Sequence, residues 1–413
     1  REWGTFVGHN PDESGEVRKI KKVLLVATVQ SHIAQFHKPL IQWLEGRGYQ
    51  VDVAARDNLA EKPSLKLDVS GTKYDVPFAR SPFSLKNIKA FRVLNRIINR
   101  ETYCVMHCNT PVGGILARLA ANRKRKSGEM KVVYQAHGFH FFEKGPVLNW
   151  MLWYPIERWF SRYANVLITI NQMDYALASK RFCGCKVRYV PGVGLNLKQF
   201  LEKTAGKTTD LRQELQLPED AKIVLSVGEL NKNKNHQVVI RALAHLRDEN
   251  IHYVIAGNGP LRDSLERLAE ESGMKKQVHF IGYRRDIPSL MNNADVFAFP
   301  SFREGLGMAS IEAMASGLPI VTSNRHGIND YSVNGVTGYK YDPDDVCGFA
   351  DGIRRIVYDR ELKLQMGENN IRTSKKYDVE SSMAKMAEIY QELLDDGECS
   401  NDCCAGVQHE KVS

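Results

Sequence analysis

The segment PSFREGLGMASIEAMASGLPIVTSNRHGINDY, residues 300–331, places two carboxylates, Glu304 and Glu312, around the glycines Gly305 and Gly307. Glycine lets a backbone approach a ligand closely, and Met308 to Ser316 reads as a helix stopped by Gly317 and Pro319. The start of such a helix carries about half a positive charge and unpaired N–H donors. It therefore suits a pyrophosphate whose negative charge grows as a bond to it breaks. Glu304 in the loop and Glu312 one turn into the helix can accept hydrogen bonds from sugar or ribose hydroxyls. A glutamate in a first helical turn is more often a dipole partner, so the reading rests on the motif as a whole.

Other groups fall into the same chemistry. SVGELNKNKNH, residues 226–236, supplies Gly228 and the cations Lys232 and Lys234, and a cation on a departing phosphate offsets developing charge. AGNGP brings Gly257 and GYRRD brings Arg285 to further turns. YQAHGFHFF sets His137 and His140 at the end of an apolar run, and ATVQSHIAQFH puts His32 after another. A lone histidine is more often packed than catalytic.

The elements that must position these groups alternate. KKVLLVATV, an amphipathic stretch ended by Gly46 and Gly48, and YQVDVAA form a β-α-β unit whose short connection implies parallel strands. TYCVMHC, KVVYQAH, NVLITIN and KVRYV continue it, interleaved with helical stretches 111–122, 147–163 and 172–182. After a Lys/Thr-rich segment the alternation restarts: IVLSVGE, helix 235–249, HYVIAG, helix 260–272, VHFIG, DVFAFP and PIVTSN. The fold expected is α/β: two Rossmann-like parallel-sheet domains facing across a cleft, with ligand groups after the strand ends. The expected boundaries are a polar tail at 1–20, domains at 21–195 and 196–378, a returning amphipathic helix at 379–395, and a Cys-containing tail at 396–413.

With 413 residues, 43% hydrophobic and 25% charged, the chain has the composition of a soluble globular protein. Its net charge of +9 is uneven: residues 1–200 hold 31 Lys/Arg against 15 Asp/Glu, and the remainder 26 against 33. The basic half, with RKRK at 123–126 and three of five Trp in 146–160, suits an anionic membrane surface; no nucleic-acid module is present. A buried helix beside a solvated charge run explains the same residues equally well. No apolar run reaches the roughly 18–20 residues that span a bilayer, and the expected location is cytoplasmic, peripheral on the inner face of a bacterial membrane. The eight cysteines lack paired CxxC spacing, which favours a reduced compartment. Cys399, Cys403 and Cys404 with His409 form a weak metal candidate, and DPDD at 342–345 reads as solvated surface charge.

The 300–331 segment resembles the signature of glycosyltransferase family 4, the retaining GT-B enzymes. HIAQFHKPLIQWL, HCNTPVGGILARLAA, YPIERWFSRYANVLITIN and VPGVGLNL are similar to bacterial capsular and exopolysaccharide transferases of that family. The resemblance implies a metal-independent, cofactor-free transferase moving a hexosyl or N-acetylhexosaminyl group from a nucleotide-diphosphate sugar, a UDP-sugar, to a lipid-linked saccharide. It implies catalytic roles for His137, Lys234 and Glu304, with Glu312 on the ribose and Gly305, Gly307, Met308 and Ala309 around the sugar and phosphates. Gly228, Lys232, Gly257 and Arg285 complete the donor set, and His32 and His140 are acceptor or supporting candidates. Two departures stand out: Glu229 occupies the family's Arg position, and the first strand–helix connection lacks the family's glycine pair. These keep a non-catalytic sugar-nucleotide-binding subunit in view as a second reading. A sugar-nucleotide epimerase of the same architecture would lack the EGLGMASIEAMASG segment.

Overall fold

A computed structural model describes residues 21–398 except 63–64, 193 and 205–209. The tails 1–20 and 399–413, with the Cys399, Cys403, Cys404 and His409 candidate, lie outside the described residues.

Two parallel sheets organise the chain. The first contains β1 (Lys22–Val29), β2 (Gln50–Arg56), β3 (Lys73–Asp75), β4 (Tyr103–Asn109), β5 (Lys131–Ala136), β6 (Val166–Thr169) and β7 (Lys186–Tyr189), in the order β3-β2-β1-β4-β5-β6-β7. The second contains β8 (Lys222–Val227), β9 (Ile251–Ala256), β10 (Val278–Gly282), β11 (Val296–Phe299), β12 (Ile320–Ser323) and β13 (Gly338–Tyr341), in the order β10-β9-β8-β11-β12-β13. Both orders reverse beside their first strand, between β1 and β4 and between β8 and β11. Such a switch point opens a crevice beyond the strand carboxyl ends. The central strands are buried on both faces, which is why they read as continuous β-branched runs rather than alternating ones.

Sequence periodicity missed β3 and β13, three and four residues long, and the helices Lys86–Arg100, Val346–Tyr358 and Arg360–Ser374. The helix expected at 111–122 runs on through the basic run to Lys126. Within that run Lys124 is committed: its Nζ donates to the carbonyls of Ile98 and Glu101 at 2.6 and 3.0 Å, closing the end of the neighbouring helix. DPDD is likewise more than solvated charge. Asp345 accepts the Gly348 N–H as an N-cap, and Asp342 pairs with Arg325 at 2.8 Å.

The two faces of the first sheet are covered differently. Helices Lys86–Arg100, Pro111–Lys126 and Val147–Ser161 build one core layer, with Leu94, Ala117, Trp150 and Trp153 against the sheet. On the other face, Ile33, Leu40, Ile41 and Leu44 pack with Met386, Ile389, Tyr390 and Leu393 of the last helix, Val379–Glu398. That helix, three residues longer than expected, thus returns to the first domain. The two crossing segments pair at Leu195 and Asp378.

Candidate functional site

The loops after the strand ends carry most of the residues singled out by sequence, whereas His32, Met308, Ala309 and Glu312 sit on the helices that follow them. After β8, Lys234 reaches the loop that follows β11: its Nζ lies 2.7 Å from Glu304 Oε1 and 4.7 Å from the Phe299 ring centroid. Asn231 Oδ1 holds the Lys234 N–H at 3.0 Å, and Glu229 in turn accepts from Asn231 Nδ2 at 3.0 Å. Glu229, without an assignable role in sequence, therefore braces the lysine loop. Lys232 is exposed and lines a separate pocket of about 490 Å³ with Arg241 and Arg267.

Glycines set the spacing of these loops. A Cβ at Gly257 would stand 1.8 Å from the Gly228 carbonyl oxygen, and one at Gly228 would press on the Lys234 side chain at 3.2 Å. Gly307 sits at φ +87°, a left-handed geometry that favours glycine, and starts the helix Met308–Ala315 with no side-chain cap. Met308, Ala309 and Glu312 are half-buried on that helix. In the loop after β10 it is Arg284, paired with Glu214 and Asp286, that is fixed, whereas Arg285 is exposed.

The first domain meets this loop directly. Gly138, at φ +106°, has room for no side chain, since a Cβ would lie 2.7 Å from Gly305 Cα; a Cβ at Gly305 would lie 2.2 Å from the His137 carbonyl oxygen. Asn171 Nδ2 donates to the Gly305 carbonyl at 2.9 Å, and Asp174 meets His326 Nε2 at 2.8 Å, both side chains almost fully buried. The Gln172 N–H donates to Asp330 Oδ2 at 2.9 Å, and burial raises that carboxyl to about 6. Sequence reading missed Asn171, Asp174 and His326. The one local signal was the capping pattern NQMD, in which Asn171 and Asp174 exchange hydrogen bonds at 2.8 and 2.9 Å.

The structure separates the histidines. His137 Nε2 lies 3.1 Å from Asn109 Oδ1 and 3.2 Å from His32 Nε2. His140 instead stacks on Trp153 at 4.8 Å. His32 is not in a loop: with no glycine to open one, β1 passes directly into the helix Gln30–Phe36. Burial pushes His32 and His140 down to about 4 and His137 well below the usual imidazole range, the last helped by the neighbouring His32 and His107. All three rings are neutral at neutral pH. The arrangement thus offers a cation, two carboxylates and a helix N-terminus without a side-chain cap on one side, and neutral imidazoles on the other.

Two family models match, Glycosyl transferases group 1 over residues 207–373 and Glycosyl transferase 4-like over residues 22–171. EpsD of Bacillus subtilis (strain 168), a provisionally named glycosyltransferase, is 36% identical over 91% of this chain and 97% of its own. The UDP-Gal:alpha-D-GlcNAc-diphosphoundecaprenol alpha-1,3-galactosyltransferase of Escherichia coli is 26% identical over 79% of this chain and 86% of its own. Among solved structures, Anabaena HepE in complex with UDP and glucose superposes with a TM-score of 0.69 at 19% identity, covering 91% of this chain and 100% of that one. That likeness is one of fold, the GT-B arrangement.

Proposed function

The chain belongs to the glycosyltransferases built from these two domains, and on that premise we propose that it transfers a hexosyl or N-acetylhexosaminyl group from a UDP-sugar to a lipid-linked saccharide, with retention and without a metal, in capsular or extracellular polysaccharide synthesis. The pairing of Lys234 with Glu304 at 2.7 Å, beside an uncapped helix N-terminus, carries the reading. Domain 196–378 takes the donor and domain 21–195 the acceptor. The donor pyrophosphate lies against the Met308–Ala315 N-terminus, where Lys234 and the helix amides offset the charge that grows on the leaving diphosphate. Glu304 turns from Lys234 to the hydroxyls of the sugar, Glu312 binds the ribose, and His137 faces the sugar from the other domain. Transfer is front-face, with both reactants held in one cleft. The E. coli relative uses a UDP-sugar and a diphosphoundecaprenol-linked acceptor, which favours this donor and acceptor class, and HepE is seen with UDP and glucose, which agrees with a UDP-sugar donor.

The acceptor's lipid requires contact with a membrane surface. No helix among the described residues is long and apolar enough to cross one. The helix Val147–Ser161 divides its residues: Trp150 and Trp153 face the core, while Val147, Leu148, Met151 and Trp159 are more than half exposed. Phe83 and Leu85, about 80% exposed, precede a helix of the same layer. With Arg158 and Arg162 on the exposed side, this layer suits an anionic lipid surface.

The test is turnover of UDP-, GDP- and TDP-sugars with EDTA present, scored as nucleotide-diphosphate release by the protein and by Glu304→Ala. Release by the first and not the second is expected. Donor binding without release by either, with lipid-linked acceptor supplied, would point to the non-catalytic reading.

A further inference from the structure

We propose that His32, His37 and His137 form a site for a divalent transition ion of the zinc class at the floor of the cleft, and that the ion competes with the donor sugar for His137. The competition rests on the role given to His137 above; the binding site does not.

Three segments converge here: the helix Gln30–Phe36 bears His32, its junction with the helix Lys38–Glu45 bears His37, and the end of β5 bears His137. One ring nitrogen from each lies within 4.8 Å of the other two. In a tetrahedral zinc site with Zn–N of about 2.0–2.1 Å, ligand nitrogens stand about 3.3 Å apart. His32 Nε2 and His137 Nε2 are already 3.2 Å apart.

Hydrogen-bond accounting favours a cation at this point. His137 Nε2 faces both His32 Nε2 and Asn109 Oδ1, at 3.2 and 3.1 Å. A neutral ring nitrogen has either one hydrogen or one lone pair, so it serves one of these neighbours at the expense of the other. His37 is only 2% exposed, and its Nε2 has no hydrogen-bond partner among the described residues. A buried imidazole nitrogen left unpaired is costly, and an ion supplies what the protein does not. The ring centroid of His37 lies 5.7 Å from those of both His32 and His137.

The ligand set chooses the ion. Three imidazoles without a carboxylate suit Zn²⁺, Ni²⁺ or Cu²⁺ and disfavour Mg²⁺ and Ca²⁺, which prefer oxygen. His32 and His137 are partly exposed, so a fourth position faces the cleft, open to water or a ligand oxygen.

The experiment uses the full chain with Cys399, Cys403 and Cys404 replaced by Ser, which removes the thiols of the C-terminal tail. Zn²⁺ is titrated by equilibrium dialysis, and Co²⁺ serves as a spectroscopic probe. One ion per chain is expected, with the visible absorption of tetrahedral Co²⁺ and no thiolate charge-transfer band. His37→Gln and, separately, His32→Gln should each weaken binding at least tenfold while the circular dichroism stays that of the parent. His252→Gln, at the other close histidine pair (His252 and His279, 3.2 Å), should leave the stoichiometry unchanged. Retention of the ion by both cluster variants, or no binding by the folded parent, overturns the site. In a turnover assay Zn²⁺ should raise the apparent KM for donor in the parent and not in His37→Gln, with EDTA restoring the parent. An apparent KM for donor that is unchanged at saturating Zn²⁺ overturns the competition.

Discussion

The geometry of the candidate site depends on positions that have no side chain. Gly305 follows Glu304 and lies under the His137 carbonyl, where an added Cβ would come within 2.2 Å of a backbone oxygen. A backbone atom cannot rotate away, so Gly305→Ala must push the two loops apart. Displacements of about 1 Å cost on the order of 10²-fold in rate. Donor turnover of Gly305→Ala is therefore expected to fall about 10²-fold in protein that circular dichroism shows to be folded; unchanged turnover would show that the close approach is not used. Glu304, Lys234 and His137 were legible in the sequence because each sits in a short contiguous motif beside glycine or a strand end. His37, Asn109, Asp174 and His326 were not. Their partners lie far away in the chain, as Asp174 and His326 do at 152 positions apart, and only the fold brings them together.

At the scale of elements, strand–helix alternation gave away the two sheets, whereas the means of docking helices onto them stayed hidden. Arg118 on the helix Pro111–Lys126 is fully buried and pairs with Glu157 of the helix Val147–Ser161 at 3.1 Å. Glu157 also accepts the Tyr134 hydroxyl at 2.9 Å, and the Arg118 guanidinium lies 3.7 Å over the Tyr134 ring. An arginine and a glutamate within apparently amphipathic helices read as surface charge, so sequence pattern cannot find this pair. Breaking a buried pair strands one charge and costs about 3–5 kcal/mol. Glu157→Ala should lower stability by about that amount in urea unfolding. The double change Arg118→Met with Glu157→Leu should recover most of it, because well-packed apolar groups often replace a buried pair without loss. If the double variant is no better than the single, the pair contributes more than charge compensation.

At the scale of the whole molecule, the buried histidines link the fold to pH. His107 on β4 donates from Nε2 to Gln135 Oε1 at 3.1 Å and receives the Tyr390 hydroxyl of the returning helix on Nδ1 at 2.8 Å, which ties the C-terminal helix to the first sheet. Burial pushes His107 and His236 down to about 4 and His37 well below the usual range. Between the ordinary imidazole value of about 6.5 and about 4, the unfolded chain takes up protons that the folded chain refuses, so stability falls as pH falls through that window. Each such histidine contributes up to ~1.4 kcal/mol per pH unit there. Asp330, raised to about 6, acts in the opposite direction, because its folded form binds the proton first. One carboxyl does not offset three imidazoles. Urea midpoints measured from about pH 7.5 to about pH 4.5 should therefore drop steeply below about pH 6.5. His107→Gln should flatten the slope even if it lowers the plateau, since the slope counts protons and the plateau counts contacts. An unchanged slope in that variant would mean that His107 is protonated alike in both states, and that the returning helix is held independently of pH.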